Sequence, residues 1–117
     1  MGTRSLTYVY DDVDEPVICM YRQFDGYPTG HGSELAHFLV PFKIVNGISG
    51  EAKLGKFANG MGCLAAQLVA NFKDCVGNIY LHPPILGRDD GQEYEYHITD
   101  KFVKDRKSTR LNSSHTD

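Results

Sequence analysis

The residues Arg22-Gln23-Phe24-Asp25-Gly26-Tyr27-Pro28-Thr29-Gly30-His31-Gly32 gather an arginine, an aspartate, a histidine, two aromatics, a proline and three glycines in one short junction. Arg22 offers a rigid donor fork suited to phosphate or carboxylate. His31 could exchange a proton near neutral pH, and Tyr27 could stack on a base or sugar. Glycines permit close backbone approach, and Pro28 restrains both itself and Tyr27, so the loop is shaped rather than slack. A helix starting after Gly32 would aim its amide-rich end at the loop and favour an anion there. The plainer alternative is internal: Arg22 pairs with Asp25, Asp25 caps the turn and Tyr27-Pro28 packs down.

A second stretch, residues 46–60, carries Gly47, Gly50, Gly55 and Gly60 with Lys53, Lys56 and Asn59. It leads into another helix and could receive an anion at that helix start. Solvated lysines on a long loop are the favoured account. Arg4 could join a basic pocket with Arg22 if both face the same side. Cys63 falls in the first turn of the second helix, where the dipole could lower a thiol pKa; an inert small hydrophobe is the simpler account. His82, Glu95 and His97 show no metal-ligand spacing and read as strand positions. Ser33 lacks the flanking glycines of a nucleophile elbow, and no phosphate-loop or dinucleotide fingerprint occurs. No cofactor or metal is expected.

These residues must be positioned by elements that the periodicity predicts. Residues 3–10 and 17–24 alternate as two strands around an acidic turn, which suggests a hairpin. Ser33 can cap a helix with Leu35, Phe38, Leu39 and Phe42 on one side, ended by Pro41. Met61, Leu64, Ala65, Leu68, Val69 and Phe72 predict a helix from Gly60 to Lys73, with Asn59 as its cap. Residues 79–82 and 92–99 read as strands, and Tyr94, Tyr96 and Ile98 alternate with Glu93, Glu95 and His97. The order is β-β-α-loop-α-β-β. It predicts an α+β fold: an antiparallel sheet of about four strands with two main helices on one face. Phe102-Val103 reads as the start of a truncated strand, whose loss would leave a sheet edge open to another copy.

A chain of 117 residues suits one core, and 41% hydrophobic with 23% charged residues is an ordinary globular balance. The formal net charge of −3 argues against a duplex nucleic-acid partner. No apolar run is long enough for a membrane span, and no leader is evident. The three cysteines are odd in number, which suits free thiols and a cytoplasmic setting, that of a host cell if the source is viral.

Two resemblances follow from particular residues. Met1-Gly2-Thr3-Arg4-Ser5-Leu6-Thr7, the pattern Arg-x-x-Asp-Gly-Tyr-Pro-x-Gly-x-Gly and Ala58-Asn59-Gly60-Met61-Gly62 resemble a family of small proteins of unknown function from phages, bacteria and environmental sequences. That resemblance covers about residues 1–104 and implies no particular chemistry. Asp105-Arg106-Lys107-Ser108-Thr109-Arg110-Leu111-Asn112-Ser113-Ser114-His115 resembles the in-frame translation of a sequencing adapter. On that reading 1–104 form a single domain, 105–117 are an artefactual tail, and the natural C-terminus is absent. Without the tail the net charge goes from −3 to −4, because three basic and two acidic residues leave.

The expected function is a small-ligand binding protein of phage type. It would hold an anionic, nucleotide-like molecule without chemistry, using Arg4, Arg22, Asp25, Tyr27, His31, Lys53, Lys56 and Asn59. The alternatives are a protein-interaction module or inhibitor of a host protein, and a small hydrolase or transferase using His31 or Cys63.

Overall fold

The computed structural model describes residues 2–47 and 56–100, and the backbone of 112–115. Strands β1 (Ser5–Tyr10) and β2 (Pro16–Arg22) form the expected antiparallel hairpin. Asp11 closes it by accepting hydrogen bonds from the Val13 and Glu15 amides through Oδ1. A five-residue π-helical turn, Pro28–Gly32, runs directly into helix α1 (Ser33–Leu39). Strands β3 (Lys43–Val45) and β4 (Phe57–Asn59) pair in parallel as a separate small sheet. Helix α2 (Gly60–Phe72) follows, then β5 (Ile79–His82), β6 (Tyr94–Ile98) and β7 (Asn112–His115).

The main sheet has the order β5-β2-β1-β6-β7. It is mixed, not antiparallel as expected, because β6 runs parallel to β1. The reason lies in residues 83–93. They do not turn back as a hairpin but carry the chain from β5 across β2 and β1 to the other side of the sheet. Parallel neighbours require such a crossover, and alternation along a strand is blind to it.

The α+β class and the placement of both helices on one face hold. Val9, Met20, Tyr96 and Ile98 on the sheet pack with Leu35 and Leu39 of α1 and with Met61, Leu64, Ala65 and Leu68 of α2. The second helix has the expected extent, since its apolar stripe has a buried partner along its length. Neither helix has the expected side-chain cap. The chain is already helical at Gly32, so Ser33 has no open end to cap. Asn59 stands at the expected N-cap position but makes no side-chain capping bond; its Oδ1 accepts a 2.8 Å hydrogen bond from the Gly47 amide.

The opposite face of the sheet carries Leu6, Tyr8, Tyr10, Cys19 and Tyr21. The 83–93 crossover lies over it, where the Tyr8 hydroxyl donates to the Ile85 carbonyl at 3.0 Å. His82, Cys19, Tyr8 and His97 stand in one row across four strands. The backbone of β7 pairs with β6 along its outer edge. Phe102-Val103 lies outside the described residues.

Candidate functional site

Arg22 ends β2 on the helix-facing side, opposite Ser5. Its guanidinium is held on three acceptors. Nε donates to the Phe24 carbonyl at 2.6 Å, and Nη1 donates to His31 Nδ1 at 2.8 Å and to Glu34 Oε1 at 2.6 Å. Arginine nitrogens only donate, so His31 Nδ1 must present its lone pair and Nε2 carries the proton. That proton points to Thr7 Oγ1, 3.3 Å away. The His31 ring is fully buried and meets Phe72 and Tyr96 edge-on, at centroid distances of 5.0 and 5.8 Å. Burial, and then the Arg22 charge, lower its pKa from 6.5 to about 3. His31 therefore stays neutral, and the expected proton exchange near neutral pH does not survive.

The glycine loop serves this packing. Tyr96 Oη donates to the Gly26 carbonyl at 2.6 Å, and the Gly26 amide donates to the Thr3 carbonyl at 2.9 Å. A Cβ on Gly26 would stand 2.8 Å from Thr3 O, and one on Gly30 2.6 Å from Asp25 O. Both distances are too short for any side chain. Ser5, against Gly26, holds the one buried side-chain oxygen among the described residues without a hydrogen-bond partner.

The other expected residues lie elsewhere. Asp25 does not pair with Arg22; it sits at φ 60° on the surface, its Oδ1 3.5 Å from the Tyr27 hydroxyl. Tyr27 is exposed beside it. Arg4 has the opposite strand parity to Ser5, and its guanidinium lies over Gly91 on the other face of the sheet. Lys56 is exposed at the small sheet, and Lys53 lies outside the described residues. Among the described ones, the Arg22 and His31 side chains meet in the interior, while Asp25 and Tyr27 touch each other at the surface. A cavity of about 440 Å³ does open at the start of α2, along Gly60–Gly62, but Asp11, Asp12 and Asp100 line it, the wrong sign for an anion. Cys63 accepts a 3.4 Å hydrogen bond from Gln67 and meets no histidine.

Thr7, Glu34, Phe72 and Tyr96 complete the Arg22–His31 cluster and were not foreseen. Glu34 lies three residues after His31 on a helical run, the one local clue. Beside the cluster, between the end of α2 and α1, an open cleft of about 520 Å³ is lined by Glu34, His37, Phe38, Asn71, Phe72 and Asp74. The Phe38 and Phe72 rings meet at 5.9 Å and 61°. His37 Nδ1 bonds the Ser33 carbonyl, which leaves Nε2 as an acceptor. The Glu34 side chain is 53% exposed, so Oε2 remains open while Oε1 takes Arg22. Lys73, between Phe72 and Asp74 in sequence, turns its ammonium to the Gly77 and Ile79 carbonyls.

No family model, curated protein or solved structure matches this chain. No helix among the described residues is long and apolar enough to cross a membrane, and no group of metal-ligating side chains occurs among them.

Proposed function

We propose that the protein is a small-ligand binding module whose ligand carries a protonated amine or guanidinium. One observation carries this reading: the 520 Å³ cleft combines two carboxylates, Glu34 and Asp74, with two phenylalanine rings, and its lining holds the imidazole of His37 but no lysine or arginine. Its size falls within the range of small-molecule sites. Carboxylates attract the charge of an organic cation, and aromatic rings accept its methylenes or its cationic face. The buried Arg22–His31 network fixes Glu34 Oε1 from behind, so the cleft is partly preorganised.

This reverses the charge expected of the ligand but keeps the idea of holding without transforming. Calorimetric titration with spermidine, agmatine and ATP tests it. The expected result is binding of the two cations, weakened by salt, and none of ATP. Heat from ATP alone would overturn it.

A second reading, docking of a protein, draws on a different surface. Seven of the ten exposed large hydrophobics among the described residues lie on or beside β5: Val17, Phe24, Val76, Tyr80, Leu81, Ile85 and Leu86. The β5 edge itself is poorly suited to strand addition. The Ile79 amide is spent on Gly77 and its carbonyl on Lys73 Nζ, and Pro83 stops the strand. A lysine and a proline on a short edge are the usual defence against pairing. A partner there would be held by side chains.

A further inference from the structure

On the sheet face away from the helices, hydrogen-bond polarity can be followed atom by atom. The Asp90 amide donates to Gln92 Oε1 at 2.7 Å, which fixes the orientation of the Gln92 amide. Gln92 Nε2 then donates to Glu95 Oε2 at 3.0 Å and to the Arg88 carbonyl at 2.9 Å. The other oxygen, Glu95 Oε1, lies 3.2 Å from His97 Nε2. An ionised carboxylate only accepts, so Nε2 carries the imidazole proton. Nδ1 is left with its lone pair, and Tyr10 Oη lies 2.6 Å from it. The phenol therefore donates to the imidazole.

The imidazole is also clamped. It stacks on Tyr8 at 5.3 Å and 4°, and on Tyr10 at 5.7 Å and 29°. Tyr8 is in turn buried and bonded to the crossover. A hydroxyl, a base within reach of its proton, and a carboxylate that sets the tautomer of that base form the general arrangement of an activated nucleophile.

We propose that Tyr10 is a nucleophile towards activated acyl groups, with His97 as its general base and Glu95 as a positioning residue. Tyr10 Oη attacks the carbonyl carbon of an activated ester, and an Oη–C bond forms. The phenolic proton passes to His97 Nδ1. The bond from carbon to the leaving oxygen breaks, and His97 returns the proton to that oxygen. The product is O-acyl tyrosine and a free alcohol or phenol. Burial raises the Tyr10 pKa, so the resting hydroxyl keeps its proton and depends on His97 to lose it. Among the described residues, the titratable and charged groups around the Tyr10–His97 pair are Tyr8 and Glu95, Cys19 of β2 in the same row, and Arg88 and Asp90 on the crossover. The backbone of His115 in β7 pairs with Tyr94, three positions along the strand from the Asn112 that pairs with His97.

The test treats the full chain with p-nitrophenyl acetate and maps acetylation at each of the seven tyrosines by peptide mass spectrometry. Tyr10 is expected to react before Tyr27 and Tyr80, although both are more exposed. His97→Gln is expected to slow Tyr10 labelling at least tenfold and leave Tyr27 and Tyr80 unchanged. Glu95→Gln is expected to move the pH midpoint of Tyr10 labelling to lower pH, which loss of packing alone does not do. Faster labelling of Tyr27 or Tyr80 than of Tyr10 in the unmodified chain overturns the proposal, whether or not any variant folds. So does an unchanged Tyr10 rate in a folded His97→Gln chain.

Discussion

Arg22 Nη1 lies 2.8 Å from His31 Nδ1, a cation donating to an imidazole that burial keeps neutral. The contact ties the end of β2 to the π-helical turn before α1. Its partners differ sharply in exposure: the Arg22 and His31 side chains are 11% and 0% exposed, and Glu34 is 53%. That asymmetry sets what mutation should cost. Arg22→Met strands the His31 lone pair and is expected to destabilise by about 2 kcal/mol. Glu34→Gln leaves Arg22 on two other acceptors and water, so it should cost less than about 1 kcal/mol. Urea unfolding of the two variants compares them.

His31 also makes stability depend on pH. Its folded pKa is depressed to about 3 from 6.5, so the unfolded chain binds a proton in a range where the folded chain does not. Stability is then highest above 6.5 and falls as pH drops from 6.5 towards 3, by up to about 4 kcal/mol from this group. His31→Asn keeps an acceptor for Arg22 and removes the ionisation. Its unfolding free energy should fall less between pH 7 and 4 than that of the unmodified chain. Parallel curves would count against a neutral His31.

Ser5 and Thr7 neighbour each other on the same strand face and should respond oppositely. Ser5 Oγ is buried with no partner, so Ser5→Ala is expected to be neutral or stabilising by up to about 1 kcal/mol. Thr7→Val removes the acceptor of the His31 Nε2 proton and should cost about 1–2 kcal/mol. Thermal midpoints measured together separate the two.

In the cleft, Asp74→Asn is expected to weaken spermidine binding about fivefold, roughly 1 kcal/mol. Phe72→Leu should weaken it further, because Phe72 also covers His31. Arg4→Ala, on the opposite side of the sheet, should leave affinity unchanged. Equal effects of all three would argue against the cleft.

Much of the fold was legible because it is local. The spacing of Met61, Leu64, Ala65 and Leu68 marked α2, and alternation in 3–10 and 92–99 sorted Tyr96 from His97 onto opposite faces. The site was legible only in part. The 22–32 loop reads as shaped, and its Gly26 and Gly30 make room for the Thr3 and Asp25 carbonyls. Arg4 and Lys56 carried the right charge for an anion site, and nothing in their spacing revealed that one lies behind the sheet and the other at the small sheet.

By itself, the sequence determined which residues alternate, which share a helix face, and that Arg22 and His31 bracket a tight loop. Each follows from the repeat of a single element or from the stereochemistry of glycine and proline. Only the tertiary structure decided that β6 joins β1 in parallel, that Glu34 rather than Asp25 takes Arg22, and that Tyr10, His97 and Glu95 form one hydrogen-bonded line. Those pairings depend on strand order and on the path of the crossover, which bring together residues up to 87 positions apart. No local periodicity encodes a distance of that length.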